Sequence, residues 1–134
     1  MHDIDIRPHI IDRVVARRGR HHLFDRIDAK TTALVVIDMQ PTFVAEGGAG
    51  EVPMSRGIVP NINALAQVLR DRGGVVVWVV HANARIGDSS DWSGFYDRFV
   101  AQDVRARTIE MNAPRPTSDA LWHGLDVHPS DVHI

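Results

Sequence analysis

Residues 33–40, ALVVIDMQ, decide the fold, because an unbroken apolar run there ends in a carboxylate. Ala33 to Ile37 are apolar without alternation, and three of these five residues are β-branched. Such a run is typical of a strand that is covered on both faces, as in a parallel sheet. Asp38 follows at the carboxyl end of this strand. Ligands bind at that end of the strands in open α/β sheets, so Asp38 is the first candidate functional residue.

A helix and a second apolar strand follow the first strand. Residues 58–72, IVPNINALAQVLRDR, have apolar residues at helical spacing and a proline in the first turn, and two glycines follow them. Residues 75–80, VVVWVV, are again continuously apolar and end at His81. A strand, a helix and a strand in this order form a right-handed crossover between parallel strands. Asp38 and His81 are therefore expected at the same edge of the sheet.

The N-terminal segment predicts a separate helical arm. Residues 8–19, PHIIDRVVARRG, predict a helix that begins at Pro8 and ends at Gly19. The basic residues around its end are interpreted as a solvated helix terminus, in preference to an anion-binding site. We therefore divide the chain into an arm over residues 1–29 and a part of one domain over residues 30–134.

The second half of the chain has weaker periodicity. Residues 82–116 predict a long loop whose final part, RARTIEMNAPRP, is a proline-bearing connector. Residues 117–124, TSDALWHG, predict a short helix capped by Thr117 or Ser118, and residues 132–134 predict the start of a third strand. Four aromatic residues at helical spacing favour one packed helix face, with the mouth of a pocket or a subunit contact as alternatives: Trp92, Phe95, Tyr96 and Phe99.

Composition excludes several classes of function. A length of 134 residues supports one domain, and a net charge of −2 gives no support to nucleic-acid binding. The absence of cysteine excludes disulfides, thiolate metal sites and a cysteine nucleophile within these residues. The sequence has no stretch of about 20 apolar residues and its start lacks the apolar region of a signal peptide, so no membrane association and a cytoplasmic location are expected.

Several motifs in order resemble the isochorismatase-like hydrolases, the cysteine hydrolase superfamily. TALVVIDMQPTFV, a glycine-rich loop and IVPNINALAQVLRDRGGVVVWVVH follow the family's pattern, in which Asp38, Gln40 and Phe43 match an Asp-x-Gln motif and a nearby phenylalanine. LWHGLDVHPSDVHI resembles the stretch that leads into the family's third strand. The resemblance covers most of residues 30–134. It implies a three-layer α/β/α sandwich with a mainly parallel sheet, which this chain builds only in part.

The resemblance also implies a reaction. Most members use an aspartate, a lysine and a cysteine to hydrolyse a small amide or carbamoyl compound, and Asp38 matches the aspartate. The family's lysine and cysteine have no counterpart here, since Lys30 is the only lysine and precedes the first strand. A cleaved or separately encoded enzyme, a truncated segment, and a non-catalytic ligand-binding or scaffold relative all remain open. A vinyl ether hydrolase of the isochorismatase type, with the aspartate as acid, is a further alternative.

The same resemblance gives expectations for ligands and partners. Gln40, Phe43, His81 and Trp92 are candidate substrate-binding residues. The nicotinamidase branch binds a metal through Asp-x-His after the second strand, and VVH here lacks the aspartate, so no metal or other cofactor is expected. The expected partners are a small-molecule substrate, a C-terminal remainder that carries the lysine and cysteine, and further copies in a homo-oligomer. An unfinished sheet exposes apolar edges, so residues 1–134 are not expected to unfold cooperatively as an isolated monomer.

Overall fold

The computed structural model describes residues 5–83 and 92–134, in which helices and strands alternate. Residues 84–91 of the predicted loop lie outside the described part. In the described residues the strands are β1 (Ala33–Ile37), β2 (Val75–Val79) and β3 (Val132–His133), and 3₁₀ helices cover Ala29–Thr31 and Pro53–Ile58. The α-helices of the same residues are α1 (Pro8–Arg18), α2 (Pro41–Val44), α3 (Val59–Asp71), α4 (Ser93–Phe99), α5 (Gln102–Met111) and α6 (Thr117–Ala120). This order confirms the predicted α/β class.

The strands form one parallel sheet in the order β1-β2-β3. Ala33 pairs with Val75 and Ile37 with Val79, so β1 and β2 end at the same level. Val77 pairs with Val132, which places the short β3 on the other side of β2. The predicted crossover through α3 is confirmed, and it brings the residues that follow β1 and β2 to one edge of the sheet.

One face of the sheet carries the core. Val36, Val76 and Trp78 point to this face and are buried, and Trp78 is fully buried. They belong to one apolar cluster with α3, whose Ile62 and Ala66 recur at helical spacing. Leu121 and Leu125 from the segment that leads to β3 complete this cluster. The alternation of more and less buried residues along β1 and β2 follows from the period-2 geometry of a strand.

The opposite face of the sheet is exposed in the described part of the chain. Val35 and Ile37 of β1 are 52% and 59% exposed, and Val75 of β2 is 45% exposed. The expectation that β1 is covered on both faces is therefore wrong for these residues, because α3 packs on one face only. Among residues 5–83 and 92–134, β1 is also an edge strand, since β2 is its one partner there. An apolar face beside an open edge is what an unfinished α/β/α sandwich presents.

A buried ion pair fixes β3 to α3. Arg70 of α3 donates to both carboxylate oxygens of Asp131, at 2.9 and 2.6 Å. The indole N–H of Trp78 and the backbone N–H of His128 also donate to Asp131, whose side chain is 1% exposed. Burial raises the pKa of Asp131, but the hydrogen bonds from Arg70, His128 and Trp78 outweigh it and lower this pKa to about 2.

Helix boundaries contain the main corrections. The segment RARTIEM of the predicted connector lies in α5. The prolines of that connector follow Asn112, the C-cap of the helix, and so do not interrupt it. α6 is shorter than predicted, and it begins after Pro116 without a side-chain cap from Thr117 or Ser118. The loop after β1 also contains α2. The predicted arm helix is confirmed as α1, which ends at Gly19 in the left-handed conformation and buries none of its residues.

Within residues 5–83 and 92–134, no helix combines the length and the apolar character that crossing a bilayer requires.

Candidate active site

Asp38 lies directly after β1 in an unusual backbone conformation. Its φ is 59°, the only positive φ of a non-glycine residue in the described ranges. Its backbone N–H donates to the carbonyl oxygen of Val79 at 3.0 Å, so β1 stays paired with β2 up to the point where the chain turns. The side chain is exposed. Asp and Asn tolerate this left-handed conformation best among non-glycine residues, and such strain is concentrated at functional sites.

Gln40 joins the ends of the two strands. Its Nε2 donates to the carbonyl oxygen of His81 at 2.8 Å, and the backbone N–H of His81 donates to its Oε1 at 2.7 Å. The residue is 2% exposed. A carboxamide carries both a donor and an acceptor, so it can pair with both backbone groups of one residue. The structure thus uses the Gln40 side chain to hold His81 beside Asp38, while its predicted contact with a substrate stays a prediction.

A cleft of about 410 Å³ opens at this edge of the sheet. It brings together four of the five candidate site residues, Asp38, Phe43, His81 and Trp92, which come from three separate parts of the sequence. Gln40 is not among the lining residues that the cleft presents. Four further residues line it: Gly50, Phe95, Tyr96 and Thr108.

Aromatic side chains of α4 form one wall of the cleft. Trp92 stacks on Phe95 with ring centroids 4.7 Å apart, and Phe95 meets Tyr96 edge to face at 5.4 Å. Tyr96 is buried, whereas Trp92 is 60% and Phe99 78% exposed. The prediction of one packed helix face is therefore wrong for Trp92 and Phe99. The alternative, aromatic residues at the mouth of a pocket, agrees with the position of Trp92, Phe95 and Tyr96.

The glycine-rich loop after α2 contributes Gly50 to the lining of the cleft. Glu51 accepts from the backbone N–H of Gly47 and from Arg56, each at 2.9 Å, and these contacts lower the pKa of Glu51 in that order of importance. Arg56 also donates to the carbonyl oxygen of Val44 at 2.7 Å. Gly50 lies so close to Phe43 that an added Cβ would stand 3.1 Å from its ring. The loop therefore has a defined path that brings a glycine against the cleft.

Two buried asparagines connect the strand end with the helices around the cleft. Asn83 is fully buried, and its Oδ1 lies 3.2 Å from Nε2 of His81. Its Nδ2 donates to the hydroxyl oxygen of Tyr96 at 3.4 Å, and its backbone N–H donates to the carbonyl oxygen of Asn112 at 2.8 Å. Asn112 in turn accepts a hydrogen bond from the hydroxyl of Thr42. This network fixes α4 and α5 to the sheet edge.

Sequence reasoning missed this network and Thr108. Thr108 and Asn112 belong to a segment that the sequence predicts as a connector. A connector has no periodicity, so the sequence does not predict which way these side chains point. Asn83 lies two residues beyond the end of the apolar run, where a polar residue gives no separate signal. Among residues 5–83 and 92–134, no group of three His, Cys, Asp or Glu side chains lies close enough together to hold a metal ion.

Comparisons with known proteins identify the fold. A chain similar in structure is a cysteine hydrolase from Pseudomonas syringae pv. phaseolicola 1448A, with a TM-score of 0.59 and 22% identity over 82% of this chain and 47% of that one. A pyrazinamidase of Pyrococcus horikoshii in complex with zinc gives a TM-score of 0.49 and 23% identity over 76% of this chain and 49% of that one.

Sequence comparison gives a consistent result. A probable inactive nicotinamidase from Arabidopsis thaliana is 43% identical over 58 residues, which are 43% of this chain and 30% of that protein. The chain thus spans less than half the length of each of these relatives. The family model described as the isochorismatase domain matches residues 32–123, which include β1, α3, β2 and the cleft. The chain therefore belongs to the isochorismatase family and has the α/β fold of its hydrolases.

Proposed function

We propose that this chain is the aspartate-bearing part of a hydrolase that cleaves the C–N bond of a small amide or carbamoyl compound. The observation that carries the proposal is the position of Asp38. Its exposed carboxylate stands at the carboxyl end of β1 and lines a cleft with His81 and four aromatic side chains. A carboxylate held there can accept a proton and return it, as general base and then general acid.

The size and lining of the cleft support a small planar substrate. Its volume of about 410 Å³ lies near the lower end of the range for small-molecule sites. Phe43, Trp92 and Phe95 offer apolar ring surfaces, while Asp38, Tyr96 and other polar groups lie among them. A planar amide can stack against such rings and use its polar edge for hydrogen bonds.

The nucleophile is proposed to come from polypeptide outside these 134 residues. The open edge of β1 supports this, because a further parallel strand paired there would end next to Asp38. In doubly wound sheets, ligands bind beside the strand on whose two sides the chain continues in opposite directions along the sheet. With β2 on one side and the further strand on the other, β1 would be that strand. The exposed side chains of Val35 and Ile37 provide an apolar surface on which such a remainder can pack. A thiol and an amine would then reach Asp38 from the new strand.

In the proposed reaction, Asp38 first takes the proton of the thiol. The thiolate adds to the carbonyl carbon of the substrate, the C–N bond breaks, and the leaving amine takes the proton from Asp38. Water then attacks the thioester, with Asp38 taking a proton from that water, and releases the acid and the free thiol. The remaining residues of the chain hold the carboxylate and the substrate in place.

The test is the substitution Asp38→Asn in the natural protein. Ammonia release is measured with nicotinamide, pyrazinamide and a carbamoyl amino acid. We expect kcat to fall by about 10²–10⁴-fold, the range for loss of a general base. The midpoint of thermal unfolding should stay constant, because Asn also tolerates the left-handed conformation at this position.

The substitution Asp38→Ala is the matched control for backbone strain. Alanine removes the carboxylate and also disfavours a φ of 59°, at a cost of about 1 kcal/mol in the free energy of unfolding. The two variants should therefore be equally inactive but unequally stable. Turnover by D38N within about threefold of the wild-type rate, well short of the general-base range, would remove Asp38 from the mechanism.

A non-catalytic ligand-binding relative is the second candidate function. The similarity to a probable inactive nicotinamidase favours it. This candidate predicts that the natural protein binds members of the amide panel but releases no ammonia from any of them. A vinyl ether hydrolase, with Asp38 as acid, predicts turnover of isochorismate instead of the amides.

A further inference from the structure

Within the proposed hydrolase site, we infer that Asn83 is a positioning residue that holds His81 in one tautomer, with the proton on Nε2. His81 then presents the lone pair of Nδ1 as an acceptor for an N–H group of the substrate. This inference rests on the proposed function for its substrate, but the tautomer can be measured without any substrate.

The direction of the Asn83 amide carries the first step. Its Nδ2 donates to the hydroxyl oxygen of Tyr96, so its Oδ1 is the atom that faces Nε2 of His81, 3.2 Å away. A carboxamide oxygen only accepts hydrogen bonds. Nε2 of His81 must therefore carry the proton. Asn83 is fully buried and its backbone is held by Asn112, so the position of this amide is defined.

The second step concerns the other ring nitrogen. A neutral imidazole with the proton on Nε2 has an unprotonated Nδ1, which is an acceptor. Within residues 5–83 and 92–134, Nδ1 of His81 has no hydrogen-bond partner. The ring lines the same cleft as Asp38, and the backbone of His81 is held by Gln40. Nδ1 is thus an acceptor that the fold leaves for a ligand.

The third step assigns the polarity of the ligand. Tyr96 accepts from Nδ2 of Asn83, which leaves its own O–H as a donor, and its ring lines the cleft. Among its lining side chains, the cleft then offers acceptors at Asp38, His81 and Thr108 and donors at Tyr96 and the indole N–H of Trp92. A primary amide or ureido group has the complementary set, N–H donors beside a carbonyl acceptor. A carboxylate has no donor for His81 and carries the same charge as Asp38.

The tautomer is tested by NMR of the natural protein labelled with ¹⁵N-histidine, at about pH 9, where an imidazole is neutral. We expect Nε2 of His81 to show the shift of a protonated ring nitrogen and Nδ1 that of an unprotonated one. Asn83→Leu should give a mixture of tautomers, because it removes the acceptor. Asn83→Asp keeps an acceptor and should retain the Nε2–H form. A wild-type ring with its proton on Nδ1, or a tautomer that N83L leaves unchanged, would overturn the inference.

Recognition is tested by the binding of benzamide and benzoate. The titrations use D38N and the double variant D38N/N83L, in which turnover does not interfere. We expect D38N to bind the amide at least about tenfold more tightly than the carboxylate, a difference that one hydrogen bond to the half-buried His81 can supply. N83L should bring that ratio below about threefold. An unchanged ratio would refute the role of Asn83 in recognition. Absence of amide turnover in the wild-type protein would refute the proposed function alone.

Discussion

Replacing Asp131 by Asn should destabilise the protein strongly at neutral pH and hardly at all in acid. The carboxylate is buried and accepts hydrogen bonds from Arg70, Trp78 and the backbone of His128. Asparagine keeps the shape of the side chain but not its charge, and it leaves the guanidinium of Arg70 without its main partner.

The magnitude follows from the pKa of Asp131, which lies at about 2 instead of the ordinary 3.8. At about 1.4 kcal/mol for each pKa unit, this difference corresponds to roughly 2–3 kcal/mol in the free energy of unfolding. The folded-state pKa is depressed, so the contribution is fully present above pH 3.8 and is lost as the pH falls to about 2. The wild-type protein should lose this stability in that window, while D131N lacks this titration.

Urea unfolding of the natural protein between pH 7 and pH 2 provides the assay. The difference between wild type and D131N should shrink as the solution is acidified. Asp126→Asn is the matched control, because Asp126 also contacts Arg70, at 3.3 Å, but its side chain is 58% exposed. Its loss should cost less than about 1 kcal/mol. A wild-type advantage over D131N that stays constant down to pH 2, or an equal loss in D126N, would refute this reasoning.

Two further predictions concern the geometry of the backbone. Gln40→Glu should lower the free energy of unfolding by about 2–4 kcal/mol, because the carboxylate is buried and cannot donate to the carbonyl oxygen of His81. Urea unfolding measures this loss, and the uncharged variant Gln40→Met is the control. An unchanged unfolding midpoint in Q40E would contradict the prediction. Gly74→Ala should be destabilising by about 1–3 kcal/mol, since its Cβ would stand 2.8 Å from the carbonyl oxygen of Ala29. At Gly94 an added Cβ meets nothing within 4 Å. Gly94→Ala should therefore be neutral or stabilise the helix by up to about 1 kcal/mol. Thermal unfolding that finds G94A less stable than G74A would show the packing argument to be wrong.

The part of the fold that could be predicted from the sequence is the part governed by local pattern. β1 and β2 each correspond to a continuous apolar run, and α3 corresponds to the amphipathic repeat between them. The order of these three elements predicts the parallel crossover. Asp38 and His81 were therefore placed at one edge from periodicity, and the cleft contains both. The exposed face of β1 could not be read from its composition, because a residue's burial depends on which elements pack against it.

The residues that could not be predicted act through contacts distant in sequence. Asn83 receives its orientation from Tyr96 and Asn112, which lie 13 and 29 positions further along the chain. No local pattern specifies such a contact. α5 is hard to predict for a different reason, since its apolar residues do not form a clear stripe and prolines follow its end. Helix propensity of its Arg, Ala, Glu and Met residues was the available signal.

The contrasting surroundings of two tryptophans give this protein a built-in pair of optical reporters. Trp78 is fully buried and donates its indole N–H to a carboxylate, whereas Trp92 stands largely exposed at the mouth of the cleft. When the third, half-buried tryptophan is removed by Trp122→Phe, iodide should therefore quench the fluorescence of Trp92 and leave that of Trp78 intact. A ligand that enters the cleft should protect Trp92 from the quencher, while the emission of Trp78 changes only when the sheet comes apart. Tryptophan fluorescence can thus report ligand binding in the cleft through Trp92 and unfolding of the sheet through Trp78.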